Sequence, residues 1–267
     1  MAGIKYKYFM LYLYGDESNT SGSDDVWAIG FIFSSSPKVH MDAIQKLRRE
    51  CSYKVRELKY SSTDYSQILF AVRLIDYFLG AKDLCYKIII KDNLFFSKEY
   101  FKSNAYKLDE KDMAYVSAYA ELCRSIKPQS YNQNKKLLNI DDKGFRGNVV
   151  LPKFLKQKDP SIVNVYRRSS SKRTKDGLFT GVSNMIQLSD FITGLVLSFA
   201  DTKRHKDDGA KKHKNIYRRA LMSKCRGIKT RCEIKENYYW PSFNYQKINV
   251  FYWKNKNAPL GKSLSKS

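Results

Sequence analysis

The sequence predicts an α/β fold: a mixed β-sheet flanked by helices, with a basic C-terminal extension. Three observations predict it. Residues 6–14 (YKYFMLYLY) and 26–33 (VWAIGFIF) are β-prone aromatic and aliphatic runs. The polar stretch 15–25 between them makes the pair a hairpin. Further strand-like runs, 85–90 (CYKIII) and 135–141 (KKLLNID), then alternate with helical periodicities, the pattern of helices packed on a sheet.

The helices follow from apolar spacing. Ile44, Leu47, Cys51 and Val55 recur at helical intervals, and so do Ile68, Leu69, Val72, Ile75 and Leu79 before Gly80. Met113, Val116, Ala120 and Cys123 mark a third helix, and residues 184–200 an apolar fourth. Residues 162–182 read as a basic hairpin with arms IVNVYRRSS and LFTGV, turned at Lys175-Asp176-Gly177. Beyond Asp201 the chain is basic and aromatic, with two strands expected near 237–253. The expected division is therefore a core over 1–200 and an extension over 201–267 packed on it.

Charge narrows the partner class. Lys and Arg total 49 against 26 Asp and Glu, a net charge of +23, and residues 203–267 alone carry a surplus of 14. Such an excess favours a polyanion, DNA or RNA, because each phosphate contact releases counterions. Arg167, Arg168, Lys172 and Arg173 crowd the expected hairpin, and Lys211, Lys212, Arg218 and Arg219 lie in the extension. All eight are candidate nucleic-acid contacts. Tyr217, Tyr238, Tyr239, Trp240 and Trp253 could stack bases, although core packing explains large aromatics more simply.

The five cysteines form no CxxC pair, which fits a reducing, cytoplasmic setting. Lys5 and Lys7 break the N-terminal apolar run, so no signal peptide is expected. The apolar stretch 185–200 contains Gln187 and Asp190 and is short for a membrane span. His205, His213, Cys225 and Cys232 match no zinc-finger spacing. No histidine sits in a triad context, and neither GxxxxGK[ST] nor GxGxxG occurs.

Acids at strand ends are the chemical signal. Asp16 and Glu17 follow the first strand, and Asp92 and Asp141 each end another. Asp and Glu also end strands for purely local reasons. At one pole of a sheet, though, such acids repel unless a cation joins them. Mg²⁺ or Mn²⁺ suits carboxylate oxygens and can assist phosphodiester hydrolysis. Asp190 lies in IQLSDFITGLVLSFA, apolar on nearly every side, where a carboxylate needs a partner or a metal. Gln187 precedes it on the same face, although Asn184 to Gln187 also has capping-box spacing. Gly194, one turn on, leaves room for close approach.

These motifs resemble the domain-of-unknown-function 3800 family. Tyr14-Gly15-Asp16-Glu17-Ser18 resembles its DES(G) opening, and Glu57-Leu58-Lys59 its E-[LI]-[HK] element. Leu137 to Asp141 resembles its apolar strand ending in Asp, and Ile186 to Ile192 its closing LQ-[LA]-A-D-[LF]-I helix. Gly15, Asn19 and Ser189 depart from the pattern, and the region past 201 has no counterpart. The resemblance implies an RNase H-like fold and a place in phage defence or mobile elements. It implies Asp16, Glu57, Asp141 and Asp190 as catalytic, metal-holding carboxylates. Glu17, Ser18, Lys59 and Gln187 would orient them or the substrate. Asp92, outside the pattern, stands in reserve with Asp142.

The expectation is thus a metal-dependent nuclease, with protein partners of a defence system and no membrane. A non-catalytic nucleic-acid-binding or assembly subunit is the alternative.

Overall fold

A computed structural model describes residues 9–18, 26–61, 65–92, 110–126, 134–142, 147–200, 212–224, 238–239 and 247–253. The order is β1 (Phe9–Ser18), β2 (Val26–Ser34), α1 (Pro37–Glu50), α2 (Tyr65–Gly80), β3 (Cys85–Asp92), α3 (Glu110–Ser125) and β4 (Asn134–Asp141). Then follow α4 (Gly147–Lys158), β5 (Ile162–Arg168), α5 (Gly181–Ala200), α6 (Lys212–Lys224), β6 (Tyr238–Tyr239) and β7 (Ile248–Trp253).

The strands form one seven-stranded sheet in the order β5-β4-β1-β2-β3-β7-β6. β1, β2 and β3 make an antiparallel meander. β4 pairs parallel with β1, and β5 parallel with β4. β7 extends the other side, parallel to β3. The described part of the C-terminal region therefore extends the sheet as well as covering it: β6 and β7 are strands of it, and α6 packs on α2.

Alternation along the strands sorts side chains to two faces. Tyr14, Ala28, Ile32, Tyr86, Ile88 and Ile90 share a core with α1, α2, α5 and α6. Leu11, Leu13, Ile29, Phe31, Leu138 and Ile140 pack with α3 and α4. By length and composition alone, Gly181–Phe199 of α5 could cross a membrane, yet 89% of that stretch is buried inside the protein.

Four expectations need correction. β1 does not stop before Gly15: it runs through Ser18, because β2 continues to pair with it as far as Ala28. α1 ends at Glu50, and Val55 is 58% exposed. The inward position one turn after Ile44 belongs instead to Arg48. Residues 162–182 are not a hairpin. The first arm, β5, satisfies its backbone on the open edge of β4, and one bridge, Arg173 to Phe179, closes the turn at Gly177. Two helices also lie where the sequence shows no clear period. α4 carries Pro152 mid-helix, which masks the pattern formed by buried Leu151, Phe154 and Leu155. α6 is mostly polar but buries Tyr217 and Leu221.

The end of α3 is held by two buried lysines. Lys87 donates to the Ser125 carbonyl (2.8 Å) and Lys136 to that of Cys123 (2.7 Å), a favourable place for cations. Lys136 also pairs with Asp159 at 2.7 Å, their side chains 5% and 9% exposed. Burial alone would push the Asp159 carboxyl up. Hydrogen bonds from Lys136 and Ser161, with the charge of Lys136, hold it below the usual range instead.

Lys136→Met leaves Asp159 buried without its cation and is expected to cost roughly 3–5 kcal/mol, measured by denaturant unfolding. The depressed carboxyl also sets a sign with pH. Its contribution is complete above the unfolded-chain value of about 3.9 and is lost as pH falls through the lower folded value. Asp159→Asn should therefore destabilise strongly at neutral pH, and its deficit should shrink in acid.

Candidate functional site

The parallel register of β1 and β4 brings two acids together. Gly15 is level with Ile140, so the next residues, Asp16 and Asp141, lie side by side on neighbouring strands, roughly 5 Å apart at the backbone. Alternation turns both toward α5, since Tyr14 lies on that face and Leu138 and Ile140 lie on the other. They are 2% and 6% exposed.

α5 is pinned at the same level. Asp16 is paired with Gly30 across the β1–β2 ladder, and the Ser189 hydroxyl donates to the Gly30 carbonyl at 3.1 Å. Gly30 is required here. A Cβ would fall 2.3 Å from both the Thr193 and the Tyr86 hydroxyl oxygens. Asp190 follows Ser189. From Ser183 to Phe199 every residue is buried except Asp190, which is partly open. The Tyr86 phenol, hydrogen-bonded to Thr193 at 2.7 Å, feels the charges of two of these acids. Burial, and then the charges of Asp190 and Asp16, hold it well above its usual range against the Thr193 hydrogen bond.

Glu57 reaches the same helix by a different route. It lies in the segment after α1, ion-paired with exposed Lys59 at 3.0 Å. The Tyr53 hydroxyl donates to the Glu57 carbonyl (2.6 Å), the Leu58 N–H to Gln187 Oε1 (3.0 Å) and the Lys59 N–H to Gln67 Oε1 (3.1 Å). Glu57 is thereby held beside Gln187, one helical turn from Asp190. Gln187 Nε2 donates to the Ser170 carbonyl (2.6 Å), and the Ser170 N–H donates to Asp141 Oδ1 (2.9 Å). One glutamine thus ties the Glu57 segment, α5 and the end of β4 together. Asn184 is not a helix cap. It accepts from Arg48 Nε at 2.7 Å and donates to Gln45 at 2.9 Å.

Glu17 cannot join these acids directly, because alternation sends it to the opposite face. There the Tyr119 hydroxyl donates to Glu17 Oε2 at 2.9 Å. The Glu17 N–H donates to Asp16 Oδ1 at 2.7 Å, orienting that carboxylate. Ser18, half-buried, ends β1. Gly194 admits Tyr60, whose Cβ would lie 2.8 Å from an added Cβ. Asp92 pairs with Val26, whereas the level of Asp16 on β3 is Ile88. Its backbone is thus four residues beyond the others, roughly 13 Å along the strand, and the reserve role is not supported by its position. Asp142 is exposed and 3.7 Å from Arg167.

The basic candidates divide. Arg167, Arg168, Lys172, Arg173, Lys212 and Arg219 are exposed. Arg173 also clamps the Gly177 (2.9 Å) and Val55 (2.6 Å) carbonyls and stacks on Phe179. Arg218 is corrected to an inward residue, 7% exposed over the Phe199 ring, because the buried side of α6 reaches it one residue after Tyr217. Tyr217 is fully buried, a core residue as packing favours. Lys211, Trp240, His205, Cys225 and Cys232 lie outside the described residues.

Arg48 is the main residue missed. It is 1% exposed, bonded to Asn184, Gln187 and the Tyr53 and Arg56 carbonyls, and enclosed by the Tyr53, Phe70 and Phe179 rings. Burial lowers its pKa to about 10, so it stays charged at neutral pH. An arginine within the apolar stripe of α1 was the available signal. Tyr119 and Ser170 carried none.

Carboxylate oxygens are the donor type that Mg²⁺ and Mn²⁺ take, and Asp16 and Asp141 share one face at one level. Among the described residues, no group of three or more His, Cys, Asp and Glu side chains is gathered closely enough to hold a metal ion. The chain offers two adjacent carboxylates, with the Glu57 segment and the helix of Asp190 tied to them through Gln187 and Ser170, rather than a closed cage.

An antiparallel β1–β2–β3 meander, with β4 and β5 added parallel beside β1 and helices on both faces, is an RNase H-like α/β arrangement. No protein-family profile matches the chain, and no curated protein does. Among solved structures it is similar to RNase HII of Archaeoglobus fulgidus in its complex with PCNA. Identity there is 12% and TM-score 0.44, over 74% of this chain and 77% of that one. It is also similar to ribonuclease H2 of Pyrococcus horikoshii (12%, TM-score 0.41, 78% of each chain) and to Bst-RNase HIII in complex with Mn²⁺ (9%, TM-score 0.36, 79% and 65%). At these identities and scores, nothing about the chemistry of this chain follows from them.

Gln187→Leu removes the acceptor of buried Arg48 and of the Leu58 N–H. It is expected to cost at least about 2 kcal/mol and to speed hydrogen exchange across residues 57–59. Unchanged stability and exchange would show that the segment is held by something else.

Proposed function

We propose that this chain is a divalent-metal-dependent nuclease that hydrolyses phosphodiester bonds in DNA or RNA. The observation that carries the reading is the β1–β4 register, which sets buried Asp16 beside Asp141 on the face covered by α5, where Asp190 is the one partly open residue between Ser183 and Phe199. The motif resemblance to the domain-of-unknown-function 3800 family supports the same residues, with Glu57 as the fourth, and a role in phage defence or mobile elements.

Mg²⁺ is commonly held by one or two carboxylates plus substrate phosphates rather than by an all-protein cage. Adjacent acids without a closed cluster match that demand. Asp16 and Asp141 would hold the metal, with Asp190 and Glu57 completing the acidic wall. When bound, such an ion supplies an activated water and charge stabilisation at phosphorus. The chain's own residues do the positioning. The Glu17 N–H fixes one Asp16 oxygen, and the Ser170 N–H fixes one of Asp141. Lys59 covers Glu57, and exposed Arg167, Arg168 and Lys172 draw in the polyanion.

The test is a cleavage panel of labelled DNA and RNA with Mg²⁺ or Mn²⁺. Asp16→Asn and Asp190→Asn should each lower the rate more than about 100-fold, beyond what ligand-supporting groups alone command, with circular dichroism unchanged. Wild-type cleavage by Asp16→Asn sinks the reading. Salt-sensitive binding with no turnover under any condition would instead establish the non-catalytic subunit.

A further inference from the structure

We propose that the edge strand β5 carries a docking platform for single-stranded nucleic acid, formed by Arg168 seated on Tyr166. The proposal names the substrate class of the acidic site and in that respect rests on the nuclease reading. The platform itself stands on separate geometry.

The first observation is register. Arg168 is level with Asp141, and Asp141 is next to Asp16. Arg168, Asp141 and Asp16 thus form one row on three adjacent strands, roughly 5 Å between neighbours. The second is facing. Past an irregularity in the ladder after Ile162, Val165 pairs with Leu138 and packs with it on the α4 side, so Tyr166 and Arg168 share the face of Asp141. Arg167 points the other way and lies 3.7 Å from Asp142, which takes it out of the row. The third is cover. α5 lies over β1, β2, β3 and β4. At β5 Tyr166 is half-buried and Arg168 exposed. The fourth is contact. The Arg168 guanidinium carbon stands over the Tyr166 ring, 4.6 Å from its centroid, the placement in which a guanidinium can stack on an aromatic face.

A cation needed only to attract phosphates has no use for this arrangement, and a mobile lysine serves as well. A guanidinium laid on a ring is rigid and presents a second flat face outward. Unpaired bases stack on such planes, whereas a duplex keeps its bases stacked inside and offers mainly phosphates. The platform is also firmly placed. Immediately after it, the Ser170 N–H is bonded to Asp141, and the Ser183 hydroxyl, with one proton to donate, lies 2.9 and 3.0 Å from the Ser169 and Lys172 carbonyls. A base held on Arg168 therefore leaves its strand running over the acids.

The test uses the full chain carrying Asp16→Asn, so that nothing is cut. Fluorescence anisotropy over a salt series compares a labelled oligothymidylate and oligouridylate with a duplex of the same length. Tyr166→Leu keeps a large apolar group at a half-buried position, and Arg168→Lys keeps the charge. Each should weaken single-strand binding about tenfold, the loss of one stacked base, while duplex binding changes less than about twofold. Arg168→Lys should leave the salt slope unaltered, and Arg168→Ala should lower it by about one. Wild-type affinity in Arg168→Lys, or equal losses on duplex and single strand, overturns the platform in favour of plain phosphate attraction. Those results with cleavage intact sink the platform alone. The expected losses in a chain that never cleaves sink the nuclease reading alone.

Discussion

Arg48 is a charged side chain with almost no exposure to solvent, and much of the site depends on how its charge is satisfied. Removing an ion of this size from water costs several kcal/mol unless hydrogen bonds replace the solvent. Here Asn184, Gln187 and two backbone carbonyls do so, and three aromatic rings surround the guanidinium. The partners come from α5 and from the irregular segment after α1. That segment has no ladder of its own to hold it. Its shape is set by a cation that cannot stay buried unless residues 53–57 remain in place.

Gln187 passes this constraint on to the acids. Its oxygen serves Arg48 and the Leu58 N–H, and its nitrogen serves Ser170, whose N–H orients Asp141. A side-chain amide offers both donors and acceptors, so one residue can join three chain segments. On the sheet side, ladder register does the same task. Asp16 and Asp141 are neighbours because β1 and β4 run parallel with Gly15 level with Ile140, and Ser189 fixes α5 to the carbonyl of Gly30, the residue paired with Asp16. Precision at the site thus comes from regular elements and from buried polar groups that cost free energy if left unmet.

The basic surplus sorts by burial. Lys87, Lys136 and Lys247 are inward, capping carbonyls with their ammonium groups. Arg218 and Lys214 lie over the Phe199 and Tyr60 rings. Cations of this kind hold the fold together and are not available to a polyanion. Among the described residues, those that remain outward near the acids are Lys59 beside Glu57 and the group at the end of β5 and the turn beyond it.

The sequence by itself determined the strands that carry the acids and the helix that covers them. Strong aromatic and β-branched runs and a long apolar stretch are local properties, and β1 to β4 and α5 follow from them. It also marked Asp16, Asp141 and Asp190, since acids after apolar strands and inside an apolar helix stand out along the chain. It could not say that β5 joins β4 in parallel instead of folding back, because free strand edges compete for a backbone and the winner depends on what else the fold covers. Nor could it separate Arg168 from Arg167, or reveal Arg48 and Tyr119. Register, the packing of α5 and the burial of a charge are settled between segments far apart in the chain. The energies that settle them, desolvation and ladder pairing, exist only once those segments meet.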